Sequence, residues 1–245
     1  VGALVAGCGS SSGPSSNSGA SNGIANQSAS DILTAAINAI KSARSVTLSG
    51  TYGSGAQGVQ IKSGTFFSSG DVDASLVING ASAHLIKIGT VDYLNADAAF
   101  WTAQSMPSAD VSKLAGIWVR VPDAATHIGA SLALSNIATG LATHAGTVTK
   151  GTTSTVNGQA VVSIMSSTNG TLYVATVGTP YPVEATKPGS SGGTLTFSNW
   201  NSASAPTAPA GSKSLRELGL PGATGTSGAS GASGASGSTG GTPST

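Results

Sequence analysis

The chain is poor in charge, in aromatic rings and in cysteine, and each shortage removes a class of function. Asp, Glu, Lys and Arg make up 8% of its 245 residues, against about a quarter in ordinary globular chains. The net charge is +1, with no clustered Lys/Arg to neutralise phosphates, so no nucleic-acid partner is expected. The same balance excludes an acidic, self-repelling disordered chain. One cysteine, Cys8, excludes an intramolecular disulfide framework and a Cys-rich zinc site. The three histidines, His84, His127 and His144, are scattered, so no metal and no cofactor is expected. No apolar run approaches the roughly 20 residues that a membrane span needs.

The cysteine sits in an informative place. Leu4-Val5-Ala6-Gly7-Cys8 has the pattern of a bacterial lipobox. The Cys8 sulfur would take a diacylglyceryl group, and the small residues Ala6 and Gly7 would fit the cleft of a peptidase that cuts before it. Cys8 is the candidate lipidation site. Residues 1–7 are read as the remnant of a signal peptide; they hold no basic residue and only a stub of the apolar segment, so the rest of the signal is expected upstream of Val1. Two or three acyl chains give stable attachment where one is marginal. The expected location is therefore extracytoplasmic, on the outer face of the bacterial cell membrane.

Both ends differ in composition from the middle. Residues 9–30 carry no charge and are mostly Ser, Gly, Asn and Ala, which cannot bury enough apolar area to offset chain entropy. With Cys8 they form an expected lipidated linker, 8–30, about 25 Å long on average. The last 25 residues use only Gly, Ser, Thr, Ala and Pro, and 206–245 is expected to be a disordered tail. One helical turn is possible over Ser212–Leu220, which carries three leucines.

The body is expected over 31–205. Ser28 and Asp31 match a capping box, with Ser30 a competing N-cap, and Ile32, Leu33, Ala36, Ile37, Ile40 and Ala43 recur at helical spacing through Arg44. After that the period falls to two. Strands are expected at Val46–Tyr52, Gly58–Phe67, Val72–Ile78, Ala83–Ile88, Val91–Asn95 and Ile117–Val121. A second set covers Thr147–Thr153, Ala160–Met165, Thr171–Thr176, Val183–Lys187 and Thr194–Trp200. Asn157-Gly158 and Asn169-Gly170 are the clearest hairpin turns. Helices are expected between the two sets, at Ala109–Ala115 and Gly129–Leu141. Consecutive hairpins imply one large antiparallel sheet that curls. The expected fold is α+β: a curved half-barrel of about 10–11 strands with helices over its concave face.

Five stretches together resemble a known family, the actinobacterial LppX/LprG-type lipoproteins, related in shape to the LolA/LolB carriers. They are Ala35–Val46, Ile88–Leu94 followed by Trp101, Ile117–Val119, Leu172–Val174 running to Val183, and Leu195–Trp200. The resemblance implies a lipobox, a polar linker and a strongly curved half-barrel that holds alkyl chains. It also implies binding, and transfer, of an acylated lipid in the envelope, with a transporter or acceptor protein as partner. Only Cys8 carries over as a site residue. The residues themselves leave two outcomes open: small side chains could leave an apolar cavity, or the helices could fill the concave face. In the second case the chain is a lipid-anchored interaction module.

Catalysis is not expected. Gly53-Ser54-Gly55 and Ser190-Ser191-Gly192-Gly193 read as hairpin loops, not as the strand-to-helix elbow of a hydrolase. Asp71 and Asp73 share a strand face at its start and read as solvated. Asp92 and Asp97 flank a strand and read as turn formers. Trp101, Trp118 and Trp200 read as caps on the core, each indole N–H reaching a backbone carbonyl, or else as the lining of a lipid mouth. The segment Ala103–Val111 is a candidate gate.

Overall fold

The computed structural model describes residues 19–52, 58–122, 133–144, 146–168, 170–189 and 192–220, with the side chains of Tyr52 and His144 outside the description. Cys8, His127, Asn169 and residues 129–132 of the expected second helix lie outside it, as do 1–18 and 221–245.

Helix α1 spans Ala29–Ser42. Its start is fixed by Ser28, whose hydroxyl accepts the Asp31 N–H at 3.2 Å and donates to the Asp31 carboxylate at 2.6 Å. That arrangement satisfies an orphan N–H of the first turn. Asp31 at the start and Lys41 at the end complement the helix dipole. Ile32, Ala36, Ile37 and Ile40, at helical spacing, are buried.

Eleven strands follow the sequence pattern closely. The first set is β1 (Ser45–Tyr52), β2 (Val59–Phe67), β3 (Val72–Ile78), β4 (Ala81–Ile88), β5 (Val91–Ala96) and β6 (Val119–Pro122). The second is β7 (Val148–Val156), β8 (Gln159–Ser166), β9 (Gly170–Ala175), β10 (Pro182–Lys187) and β11 (Gly193–Ser198). A twelfth, β12 (Lys213–Ser214), lies parallel to β6. The strand order is β12-β6-β5-β4-β3-β2-β1-β11-β10-β9-β8-β7. Two antiparallel meanders therefore meet where β1 pairs with β11. Asn157 and Gly158 both have positive φ, 50° and 76°, as a two-residue type I′ hairpin requires. Asn79-Gly80, at 53° and 82°, makes the same turn between β3 and β4.

Register places one apolar row after another on a single face. Val46 faces Phe66, Phe66 faces Val72, and Leu48 faces Phe197. Leu85 faces Leu94, Leu94 faces Val119, and Ile164 faces Leu172. The cluster around Ile37 and Ile40 reaches β3, while the cluster around Ile32 and Ala36 reaches β8. From β3 to β8 there are six strand spacings, about 29 Å if flat. Helix α1 is about 21 Å long, so the sheet bends round it. Register shifts in β2 beside Lys62, in β7 beside Gly151 and in β10 at Val183 are bulges, and bulges bend and twist a sheet.

Among the described residues three further α-helices occupy the concave face. Helix α2 (Ala98–Ala103) is capped by the Asp97 carboxylate, which accepts the Phe100 N–H at 2.8 Å. Helix α3 spans Ser108–Leu114 and helix α4 spans Leu134–His144. Helix α2 was not foreseen, because six residues are too few to show a period; Asp97 is its one sequence signal. Among the described residues no helix is long and apolar enough to cross a membrane.

The ordered body is longer than 31–205. At its start, Ile24 is buried and Ser21 bridges to Val177. At its end, β12 extends the sheet, and Leu215, Leu218 and buried Leu220 pack on the β4–β6 cluster. Three leucines within six residues anchor a stretch whose neighbours have no apolar side chains to bury. The expected helical turn over Ser212–Leu220 is instead a short strand followed by turns.

Two predictions follow from backbone and cap geometry. Gly50 has φ of 135°, and a Cβ there would collide with the Thr194 carbonyl oxygen; Gly80 has φ of 82° and open space. Gly50→Ala is therefore expected to cost at least ~2 kcal/mol more than Gly80→Ala in urea unfolding. Equal losses would contradict the close β1–β11 approach. Glu217 accepts hydrogen bonds from the Ser214 hydroxyl at 2.6 Å and N–H at 2.7 Å. These bonds, with smaller help from Arg120 and Lys213, hold its carboxyl below the usual glutamate value. A lowered folded value means that the contribution is present above the unfolded value and lost as pH falls through the folded one. Protection factors of the amides of 213–220, corrected for the intrinsic exchange rate at each pH, should fall on acidification through the carboxylate range, and Glu217→Gln should abolish that dependence.

Candidate functional site

Among the described residues the concave face is a large apolar surface, and helices lie across it. What remains is a cavity of about 50 Å³ where α1 and α4 meet strands β7–β10. Leu33, Leu141, Val148, Ile164, Leu172 and Ala185 line it. The wall is apolar, with Ser166 and Thr171 as its hydroxyl-bearing side chains. This is room for about two water-sized groups, far below the 300–1,000 Å³ of ordinary ligand pockets. Of the two outcomes that the sequence leaves open, the described residues show a concave face filled by helices.

The cover over that cavity is built weakly. Helix α4 contains Ser135, Asn136, Thr139, Gly140 and Thr143 in eleven residues. Such residues cost about 0.5–1 kcal/mol each against Ala in a helix. Thr139 and Thr143 donate their hydroxyls to the carbonyls four residues earlier, each at 2.9 Å, which bends and slightly destabilises a helix. Packing holds α4 in place. Leu134 and Ala138 are buried in the cluster with Ile37 and Ile40, and Ile137 and Leu141 are half-buried beside them. Helix α1, with four alanines and a capped start, is the firmer partner.

The candidate gate is not a loop. Ala103–Val111 joins α2 to α3 by a tight turn tied by Met106 N–H to the Trp101 carbonyl and Asp110 N–H to the Pro107 carbonyl. Val111 is buried and Met106 packs on the β4–β6 cluster.

The tryptophans divide by role. Trp200 closes one end of the strands: its ring stacks on Tyr181 at 4.3 Å with 6° between planes, and its Nε1 donates to the Pro182 carbonyl at 3.1 Å. That is the expected cap. Trp101 is buried on α2, edge-on to Phe100, but its Nε1 has no hydrogen-bond partner among the described residues. Trp118 is half-buried and meets the His84 ring at 5.0 Å and 61°.

The acids also separate. Asp71 accepts the Gly89 N–H at 2.8 Å and a Ser69 hydroxyl at 2.8 Å, holding two turns together. Asp73 pairs with His84 Nε2 at 2.7 Å. Asp97 caps α2 and accepts the Ser82 N–H at 2.8 Å, as a turn former should. Asp92 is a correction: it is fully buried on the helix-bearing face, opposite Lys87, itself 7% exposed. The hairpin turns at Gly89-Thr90, so Asp92 falls on the strand, and its register partner is a cation. A buried carboxylate is tolerable only beside such a group. The Gly192 N–H donates to the Gly189 carbonyl at 3.0 Å between β10 and β11; Ser190, Ser191 and the Gly53-Ser54-Gly55 run lie outside the described residues. Among the described residues no three His, Cys, Asp or Glu gather.

No family model and no curated protein sequence matches the chain. Solved structures do. LprF from Mycobacterium bovis superposes with a TM-score of 0.50 at 14% identity, covering 73% of this chain and 96% of LprF. The Mycobacterium tuberculosis lipoprotein LppX gives 0.47 at 13% identity, covering 71% and 97%. The likeness to LprF runs over almost the whole of that protein. The chain therefore has the curved half-barrel fold of LprF, one of the LppX/LprG-type lipoproteins.

Proposed function

We propose that the protein is an envelope lipoprotein, anchored through acyl chains on Cys8, that binds an acyl lipid on its concave face when α4 moves aside. The observation that carries the proposal is the apolar cavity between Leu33 and Leu141, closed by a helix of poor intrinsic stability. The half-barrel fold supports it.

Magnitudes favour reversible exchange. Lifting α4 exposes Leu134, Ile137 and Leu141, about 1.5–3 kcal/mol apiece if fully uncovered. An alkyl chain of about 16 carbons returns about 0.8 kcal/mol per buried methylene. The lipid thus replaces one apolar cover by another and keeps a surplus large enough to bind. The surplus is also small enough to release to an acceptor protein. The role is binding and release, without catalysis.

A second reading, a lipid-anchored interaction module without a small ligand, is favoured by the small volume of the cavity. Mass spectrometry separates the two. The full chain, purified from a lipid-rich envelope extract, is expected to carry a stoichiometric acyl lipid beyond any lipid bound covalently. Ala185→Leu, which fills the cavity, should reduce that occupancy at least tenfold while leaving circular dichroism unchanged. A chain that carries no lipid, and takes up none from added phospholipid, would establish the interaction module instead.

A further inference from the structure

The opposite, convex face of the sheet holds a second and larger depression, about 380 Å³, over β2–β5. Its floor is a row of polar side chains in consecutive register. Ser75 faces His84 across β3–β4, and His84 faces Asn95 across β4–β5. Lys62, at the bulge of β2, stands at one end. Trp118, in contact with the His84 ring, stands beside the row.

Two of these side chains are held rigidly by one atom and leave another to spare. His84 is fixed by Nε2 on Asp73 at 2.7 Å and by the indole of Trp118, which leaves Nδ1. Asn95 Nδ2 donates to the Gly116 carbonyl at 3.0 Å, which leaves Oδ1. Pinned polar groups lose little entropy when a ligand arrives.

We propose that this groove binds a pyranose sugar. A sugar ring offers adjacent hydroxyls that both donate and accept, matching the alternating Ser75, His84 and Asn95 atoms. Its C–H face suits the carbon-rich remainder of the groove wall, which includes Leu76, Ala83 and Ala96. Other ligands fit less well. A peptide strand needs a free sheet edge, and β3 and β4 lie inside the sheet. A polyanion needs clustered cations, and Lys62 is the one cation among the lining residues. An alkyl chain would leave the spare His84 Nδ1 and Asn95 Oδ1 without partners. The groove lies across the sheet from the proposed lipid site, so the two readings stand or fall separately.

The test uses the full-length, ¹⁵N-labelled chain titrated with methyl glycosides of glucose, galactose and N-acetylglucosamine, with glycerol as the hydroxyl control. At least one glycoside is expected to shift the Asn95 side-chain amide, the His84 backbone amide and the Trp118 indole signals together, with a Kd on the order of 1 mM. Asn95→Ala should weaken that binding at least tenfold and leave the remaining spectrum in place. Should Asn95→Ala perturb the fold, Ser75→Ala carries the same expectation. No shift up to ~100 mM, two decades above the expected Kd, would overturn the proposal. So would equal shifts with glycerol, shifts centred on Leu33 and Leu141, or undiminished binding by a folded variant.

Discussion

A twelve-stranded, mostly antiparallel sheet with one apolar face has to cover that face, and here α1 is the element that does so first. Ile32, Ala36, Ile37 and Ile40 are buried against strands on both sides of the β1–β11 seam. Each fully buried isoleucine contributes about 1.5–3 kcal/mol. The remaining cover is added in pieces. Helix α4 lies on α1, while α2 and α3 lie over β4–β6 with Trp101 and Leu114. Leucines from 215 to 220 close the far edge. The low charge of the sequence fits this arrangement, since so much of the sheet faces protein. The pair Lys87 and Asp92 is the exception on that face, two charges in one register position.

The curvature has a local cause. Three bulges and the glycine at position 50, where β1 and β11 approach too closely for a Cβ, let the sheet wrap a helix it could not otherwise reach. Small residues on the inner face, such as Gly64, Ala74, Ala83 and Ala185, let helix side chains sit deep. The same smallness limits how much is gained per contact. A cover made of several short helices over small side chains can be changed in one part without unfolding the whole.

Most of the architecture could be read from residue spacing. Alternation located eleven strands to within a few residues, and Ser28 with Asp31 located the start of α1. The elements that were missed share a reason. Helix α2 is too short to show periodicity, and β12 is two residues long and exists by virtue of its partner β6. The site was less legible. Whether the half-barrel is empty or filled depends on side-chain volumes summed over several elements, which no local pattern reports. Asp92 looked like a turn residue because it follows a Gly-Thr turn. Its place opposite Lys87 is a matter of register, which only the folded sheet fixes. The convex row of Ser75, His84 and Asn95 was hidden for the same reason, since its members are nine and eleven residues apart.

The account rests on α4 being the element that yields. Residue-resolved hydrogen exchange of the lipid-free chain tests this directly. Amides of Leu134–His144 are expected to exchange at least ~100-fold faster than those of Ala29–Ser42, a gap of about 2.7 kcal/mol in opening free energy. Added acyl lipid should change the exchange of α4 and leave that of α1 as it was. Protection of α4 equal to that of α1, unaltered by lipid, would contradict the account, because the concave face would then be closed for good.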